Sequence, residues 1–185
     1  CAIAAAWPSD ISVAVNLSPV QFRDPGLAAT IEAALKSSGL RSSRLELEIT
    51  EGVLLSDEEQ TIATLTALKA QGLRISMDDF GTGYSSLSYL SRFPFDKIKI
   101  DQSFVRQIPG NKQCTAIVHA IITMGKCLDM AITVEGVETE EQHAFAVAQG
   151  CDAVQGYNVS KPLQRTDFAA FIAEWTPYCR LRTAA

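Results

Sequence analysis

Six apolar segments of strand length recur along this 185-residue chain, separated by segments with the pattern of helices. Strands that alternate with helices are typical of α/β domains, in which helices cover a mostly parallel sheet. We therefore predict a single α/β domain over residues 1–185. Its strands are expected at about residues 11–17, 45–49, 73–77, 97–100, 131–137 and 153–159.

Residues that cap helix ends mark the boundaries of the predicted helices. The sequences at 56–59 and 139–142 match the capping box, in which a Ser or Thr and a later acid or amide satisfy the first free N–H groups. Pro25 suits a first helical turn, and glycines suit helix ends. The predicted helices span about residues 24–39, 56–72, 139–150 and, with Thr166 as the cap, 166 onward.

The two faces of each predicted strand differ in polarity, because neighbouring side chains of a strand point to opposite sides. One face is apolar, as in Leu45, Leu47 and Ile49. A sheet with one solvated face would show the same pattern, but the polar residues fall near the carboxyl ends of strands, where parallel α/β folds build their sites. We therefore predict a (β/α) barrel whose polar centre carries Asn16, Glu46, Glu48, Asp78, Lys97, Lys99, Glu135 and Gln155.

Four carboxylates and one ammonium group are expected to converge at this centre. Asp78 and Asp79 end the third strand, Glu48 and Glu135 lie at the ends of the second and fifth, and Lys99 lies on the fourth. Clustered carboxylates with little access to solvent are costly unless a cation offsets them. Oxygen ligands suit Mg²⁺ or Mn²⁺ rather than Zn²⁺.

This ligand set, to which Asn16 adds a side-chain carbonyl, predicts metal-assisted attack by water. Two ions about 3.5–4 Å apart would stabilise the attacking and the leaving oxygen of a phosphoryl displacement. Asp78 is expected to bridge them, with Asp79 and Glu135 on the second ion. Lys99 would hold the attacking water or a phosphate oxygen, although on its own it would suit an exposed position on an edge strand.

Composition excludes several other classes of function. The net charge is −5, and no window concentrates Lys and Arg, so a nucleic-acid duplex is not expected as a partner. No apolar run reaches the roughly 18 residues of a membrane span, and the start lacks a secretory signal, which favours the cytoplasm or the cytoplasmic part of a membrane-anchored protein. The five cysteines are far apart and are expected to be reduced thiols.

Six ordered motifs resemble the EAL domain, the bacterial cyclic di-GMP phosphodiesterase family. They are VNLSPVQF at 15–22, LELEITE at 45–51, DDFGTGYSSLSYL at 78–90, FDKIKIDQSFV at 95–105, VEGVETEEQ at 134–142 and QGYNVSKPL at 155–163. The resemblance implies a TIM-type (β/α)8 barrel that hydrolyses cyclic di-GMP to linear pGpG with one or two Mg²⁺ or Mn²⁺ ions. It also implies a homodimer and flanking sensor or cyclase domains. A catalytically inactive cyclic di-GMP-binding or regulatory module is the alternative.

The resemblance also assigns roles to individual residues. The metal ligands implied are Asn16, Glu48, Asp78, Asp79 and Glu135. Glu135 also resembles a general base, Lys99 the lysine that contacts the catalytic water, and Glu51 the glutamate that steadies the loop after Asp78 and Asp79. The residues expected to bind substrate are Ser18, Gln21, Gln155, Gly156 and Tyr157, although Ser18 would equally suit a helix cap. Glu138 either supports Glu135 from behind or is an exposed loop acid.

The chain departs from the family pattern at its N-terminal side. A complete barrel takes about 250 residues, about 65 more than this chain, and no Glu-Ala-Leu tripeptide occurs in it. We therefore expect an EAL-type domain that lacks its N-terminal portion and keeps about six of eight strands. One metal ligand and a phosphate-binding arginine would be missing, so weak metal loading and weak turnover are expected of this chain alone.

Overall fold

The computed structural model of the chain describes residues 1–54, 58–82, 90 and 92–182. Six parallel strands form a half-barrel in which each strand pairs with the next one in sequence. This order confirms the α/β prediction and all six predicted strands. The strands are β1 (Val13–Leu17), β2 (Leu45–Thr50), β3 (Arg74–Phe80), β4 (Lys97–Ile100), β5 (Ala131–Val134) and β6 (Ala153–Val154).

Helices follow or precede each strand of the half-barrel. They are α1 (Ala2–Ala5), α2 (Pro19–Phe22), α3 (Leu27–Ser38), α4 (Glu51–Leu54), α5 (Glu58–Ala70), α6 (Gln102–Val105), α7 (Lys112–Cys127), α8 (Glu140–Ala148) and α9 (Arg165–Arg182). The sequence patterns did not predict α7, although Asn111 caps it by accepting hydrogen bonds from the N–H groups of Gln113 and Cys114.

The helix boundaries confirm some of the predicted caps and correct others. Thr139 and Gln142 form the predicted capping box at the start of α8. The box at 56–59 lies partly outside the described residues. The helix predicted from residue 24 begins at Leu27, because the Asp24 side chain accepts a hydrogen bond from Gly26 N–H in a turn. Thr166 lies inside α9 and bonds to Asp167 instead of capping the helix.

The last two strands are shorter than predicted. β5 ends at Val134 and β6 at Val154, whereas the apolar patterns ran on to residues 137 and 159. The backbone turns after each strand, and Gly136 takes a φ of +63°. Val137 N–H then donates to Gln155 O, so the two loops bond to each other at the carboxyl end of the sheet.

The two faces of the half-barrel have the predicted polarity. Leu47, Ile49 and Ile98 are at most 2% exposed and pack in the hydrophobic core with the helices. On the opposite face, Lys97 Nζ lies 2.6 Å from a carboxylate oxygen of the buried Glu46. The inner face therefore carries ion pairs rather than an apolar core.

Two further predictions concern cysteines and membrane spans. Cys1, Cys114, Cys127 and Cys151 are not in disulfide bonds, while the side chain of Cys179 lies outside the described ones. Within the part of the chain that the structure describes, no helix combines the length and apolar character that a bilayer crossing requires.

Candidate active site

Lys99 is the centre of the site, and its ammonium group contacts three carboxylates. Lys99 Nζ lies 2.8 Å from Glu48 Oε1, 2.8 Å from Asp78 Oδ1 and 2.7 Å from Glu135 Oε1. The Lys99 side chain is only 4% exposed. A buried cation at these distances fixes the positions of the three carboxylates. Lys99 lies inside the half-barrel and not on an exposed edge strand.

The strand register brings these side chains to the same end of the sheet. Glu48 lies near the end of β2, Asp78 within β3 and Lys99 on β4. Glu135 directly follows β5, and its N–H donates to Ile100 O. Asn16 is the register partner of Glu48 on β1, which places it beside the cluster at the open side of the half-barrel.

A register irregularity in β3 makes Asp79 part of the cluster. The pairing of β3 with β4 shifts between Met77 and Phe80, and Asp79 has a φ of 53°. A bulge of this kind breaks the strict alternation of side chains along a strand. Asp78 and Asp79 can therefore both reach the inner side, which regular strand geometry forbids.

Asp78, Asp79 and Glu135 fit a divalent metal ion. Each offers a carboxylate oxygen, and these oxygens lie within 4.8 Å of one another. Oxygen-only donors suit a hard cation such as Mg²⁺, Mn²⁺ or Ca²⁺. These three residues are the ones that the sequence assigned to the bridging and second-ion positions.

Burial and hydrogen bonding have opposite effects on the pKa of Lys99. Burial by itself lowers the pKa of Lys99, but hydrogen bonds to Asp78, Glu135 and Glu48 outweigh burial and raise this pKa above its ordinary value. The ammonium group therefore stays protonated at neutral pH. Lys99 can donate hydrogen bonds, but it cannot accept a proton from water.

Two of the acids hold their protons more tightly than usual. Burial raises the pKa of Glu135, Lys99 opposes the rise, and Asp78 and Glu48 add to it. Burial likewise raises the pKa of Asp79, and the negative charges of Asp78 and Asp101 raise it further. The positive charge of Lys99 opposes this rise. A raised pKa makes a carboxylate a better proton acceptor.

Metal affinity is expected to rise with pH because a metal must displace these protons. We expect binding of Mn²⁺ to strengthen about tenfold or more between about pH 4.5 and about pH 7. Because the pKa values of Asp79 and Glu135 are raised in the folded chain, both groups keep their protons at a pH at which the unfolded chain has lost them. Their contribution to the free energy of unfolding therefore falls as pH rises. Titration of free Mn²⁺ by electron paramagnetic resonance measures the affinity, and a flat pH profile would contradict the prediction.

Asp101 is a site residue that the sequence reasoning missed. It directly follows β4, caps α6 by accepting a hydrogen bond from Ser103 N–H, and is buried. Its side chain contributes a hydrogen bond and a negative charge that raise the pKa of Asp79. The position of Asp101 at a strand end was the available signal, since the other acids were found in the same way.

Glu51 contacts the loop that begins at Asp78 and Asp79. Glu51 Oε1 accepts a hydrogen bond from Gly81 N–H at 3.1 Å. This contact supports the expected role of Glu51 in steadying the loop. The remainder of the loop, at 83–89, lies outside the described residues.

Gly81 is expected to tolerate no side chain. It has a φ of +100°, and an added Cβ would lie 2.8 Å from Phe104 Cε2. We expect Gly81→Ala to lower the free energy of unfolding by about 1–3 kcal/mol. Urea unfolding checks this, with Gly110→Ala as the control, because a Cβ at Gly110 would meet only Gln107 O at 3.8 Å. Equal effects of the two changes would contradict the prediction.

Ser18 and Gln21 bond to each other at the start of α2. Gln21 N–H donates to Ser18 Oγ at 3.3 Å, and Ser18 N–H donates to Gln21 Oε1 at 3.1 Å. Ser18 is therefore a helix cap, which was the alternative to a ligand contact. Both side chains are exposed, and contact with a substrate remains a prediction for them.

Gln155, Gly156 and Tyr157 line a cavity of about 220 Å³ that also borders Glu135. An added Cβ at Gly156 would lie 2.3 Å from Val137 O, so only glycine fits this turn. Tyr157 is 58% exposed at the outer side of the cavity. The three residues predicted to bind substrate therefore line the same cavity as Glu135 of the carboxylate cluster.

Comparisons with known proteins agree with the fold. The family model of the EAL domain matches residues 1–162. MucR of Pseudomonas aeruginosa, a bifunctional diguanylate cyclase/cyclic di-GMP phosphodiesterase, is 41% identical over 165 residues, which are 89% of this chain and 24% of MucR. The chain spans about a fifth to a quarter of the length of the curated relatives it matches.

Two solved structures extend this likeness to three dimensions. The EAL domain of Mycobacterium smegmatis DcpA is 36% identical, with a TM-score of 0.89 over 94% of this chain and 80% of that one. Klebsiella pneumoniae BlrP1, in a manganese/cyclic di-GMP complex, is 33% identical, with a TM-score of 0.81 over 89% of this chain and 42% of that one. The family match, the half-barrel and the acidic cluster together show that the chain belongs to the EAL domain family.

Proposed function

We propose that the chain is the phosphodiesterase domain of a larger bacterial signalling protein and hydrolyses one phosphodiester bond of cyclic di-GMP to give linear pGpG. The observation that carries the proposal is the Lys99 ammonium group bonded to Glu48, Asp78 and Glu135, with Asp79 beside them. The name of MucR and the ligands of the BlrP1 complex support the substrate. Because relatives extend well beyond the matched region, flanking sensor or cyclase domains are part of the proposal.

Asp78, Asp79 and Glu135 would hold the metal, with Asn16 and Glu48 as the proposed ligands of an additional ion. The cation would be Mg²⁺ or Mn²⁺, which neutralises phosphate oxygens and favours ionisation of a bound water. Lys99 orients the carboxylates and can donate to the attacking oxygen or to a phosphate oxygen. Glu135 is the proposed proton acceptor, since its raised pKa favours that role.

The substrate would lie across the carboxyl ends of the strands. Gln155, Gly156 and Tyr157 are proposed to contact it on the side of β6, and Ser18 and Gln21 on the side of β1. Glu51 would act at a distance, by fixing Gly81 and with it the backbone after Asp78 and Asp79. A homodimer, which the resemblance implies, and a cytoplasmic location, which the sequence composition favours, stay predictions.

The proposal is tested by measuring pGpG released from cyclic di-GMP in the presence of Mn²⁺, Mg²⁺ or EDTA. The assay uses this chain and a version extended at Cys1 by a segment that carries the Glu-Ala-Leu strand. We expect metal-dependent release, stronger in the extended version, and none in EDTA. Tight binding of cyclic di-GMP without release in either version would overturn the enzyme and favour the catalytically inactive binding module.

A further inference from the structure

A second ion pair lies on the inner face of the half-barrel, next to the Lys99 cluster. Lys97 Nζ donates to both carboxylate oxygens of Glu46, at 2.8 and 2.6 Å. Glu46 lies two residues before Glu48 on β2. Lys97 likewise lies two residues before Lys99 on β4. Because residues two apart on a strand point to the same side, the ion pair and the cluster form adjacent layers.

The space between the two layers holds no large side chain at β3. Ser76 lies there, and its register partners are Glu48 on β2 and Lys97 on β4. The Ser76 hydroxyl is buried and has no hydrogen-bond partner within the described part of the chain. One cavity of about 200 Å³ is lined by both acids and both lysines, Glu46, Glu48, Lys97 and Lys99. A lysine side chain is long and flexible, so an ammonium group of one layer can reach an acid of the other.

The two partners of the second ion pair differ in their access to solvent. The Lys97 side chain is 24% exposed, whereas the Glu46 side chain is 5% exposed. Among the residues that the structure describes, only Lys97 donates a hydrogen bond to the Glu46 carboxylate. A buried carboxylate without a cation is costly. Without Lys97, Glu46 would therefore compete for the other ammonium group of the cavity, that of Lys99.

We infer that Lys97 is a positioning residue of the site: by neutralising Glu46, it keeps the ammonium group of Lys99 on the three acids of the cluster. The inference rests on the proposed function, in which Lys99 donates to the attacking oxygen or to a phosphate oxygen. Lys97 acts only through Lys99 in this role. An ion pair that served stability alone would not decide which acids Lys99 contacts.

The first test follows the Lys99 ammonium group by proton–nitrogen NMR in the metal-free chain. Buried, hydrogen-bonded ammonium groups give signals that exposed ones lose through exchange with water, and Lys99→Met identifies the signal of Lys99. Lys97→Met removes the charge and keeps the length of the side chain. We expect the Lys99 signal to move in Lys97→Met, and to return when Glu46→Gln removes the competing charge as well.

Metal affinity and turnover should change in opposite directions in Lys97→Met. Withdrawal of Lys99 frees oxygens of the proposed metal ligands and leaves more net negative charge, so Mn²⁺ should bind about threefold or more tightly. The same withdrawal removes a donor from the attacking oxygen, so kcat for cyclic di-GMP should fall about tenfold or more, with KM within about threefold. The double variant with Glu46→Gln should reverse both changes. A general loss of packing would weaken metal binding and turnover together.

Two further variants complete the test. Lys36→Met breaks an exposed ion pair with Glu32 on α3, and as the matched control it should leave the Lys99 signal, the Mn²⁺ affinity and kcat unchanged. Lys97→Gln keeps a hydrogen-bond donor for Glu46 without the charge. It should move the Lys99 signal in the same direction as Lys97→Met but less, and it carries the test if Lys97→Met does not fold.

Two outcomes separate this inference from the proposed function. A Lys99 signal that stays in place in Lys97→Gln and in Lys97→Met, or that Glu46→Gln does not restore, would overturn the inference alone. The expected signals and Mn²⁺ affinities in a chain that neither binds nor hydrolyses cyclic di-GMP would overturn the proposed function, while the effect of Lys97 on Lys99 would stand.

Discussion

Asp78→Asn is expected to lower the rate of cyclic di-GMP hydrolysis by about a thousandfold or more. Asp78 accepts a hydrogen bond from Lys99 and also belongs to the group of carboxylates that can hold a metal. An amide of the same shape removes the negative charge while leaving the volume unchanged. The variant loses metal affinity and transition-state stabilisation together, and both act on the same chemical step.

This effect is measured as pGpG release in the faster of two chains, the original chain or the version extended at Cys1. Asp129→Asn is the matched control, since Asp129 is exposed and precedes β5 at the opposite end of the sheet. The control should keep the original rate. Activity of Asp78→Asn within about tenfold of the original would show that Asp78 is not an essential ligand.

Lys99→Met is expected to lower the free energy of unfolding by about 3–5 kcal/mol. The substitution keeps the length of the side chain but leaves Glu48, Asp78 and Glu135 without their shared cation. Repulsion between the uncompensated carboxylates then destabilises the folded chain, and this repulsion grows as the acids ionise. The destabilisation should therefore be smaller at about pH 4.5 than at about pH 7.5.

Urea unfolding at the two pH values measures this effect, with Lys112→Met as a control at an exposed position of α7. Added Mn²⁺ should restore part of the lost stability at the higher pH, because a divalent cation can replace the charge of the ammonium group. A loss below about 1 kcal/mol at both pH values would mean that the acids do not depend on Lys99.

The fold and most of the site were predictable because they rest on local patterns. The period of two along each strand separated Leu47 and Ile49 from Glu48, and the structure places them on opposite faces as expected. Capping residues located α8 in the same way. The pattern failed at β6, which was predicted to extend to Val159, because the chain turns after Val154 into the loop that meets Val137.

Other parts of the site depended on contacts between distant segments. Strand alternation would place Asp79 on the outer face, and only the irregular pairing of β3 with β4 brings it to the metal-binding group. Asp101 ends a strand and lies within a quoted motif, but its effect on the site depends on its proximity to Asp79, which only the tertiary structure shows. The cavity formed by Arg106, Glu138 and Tyr157 combines three loops that are far apart in sequence.

The sequence by itself determined the order of the strands, the approximate positions of four helices, the polar face of the sheet and the family. The tertiary structure decided that one lysine contacts three acids, that adjacent aspartates reach the same side, and that Ser18 caps a helix. The physical reason is that side-chain alternation and helix capping involve residues a few positions apart. Distances between strands depend instead on the curvature of the half-barrel and on one bulge, which arise only when the whole sheet packs.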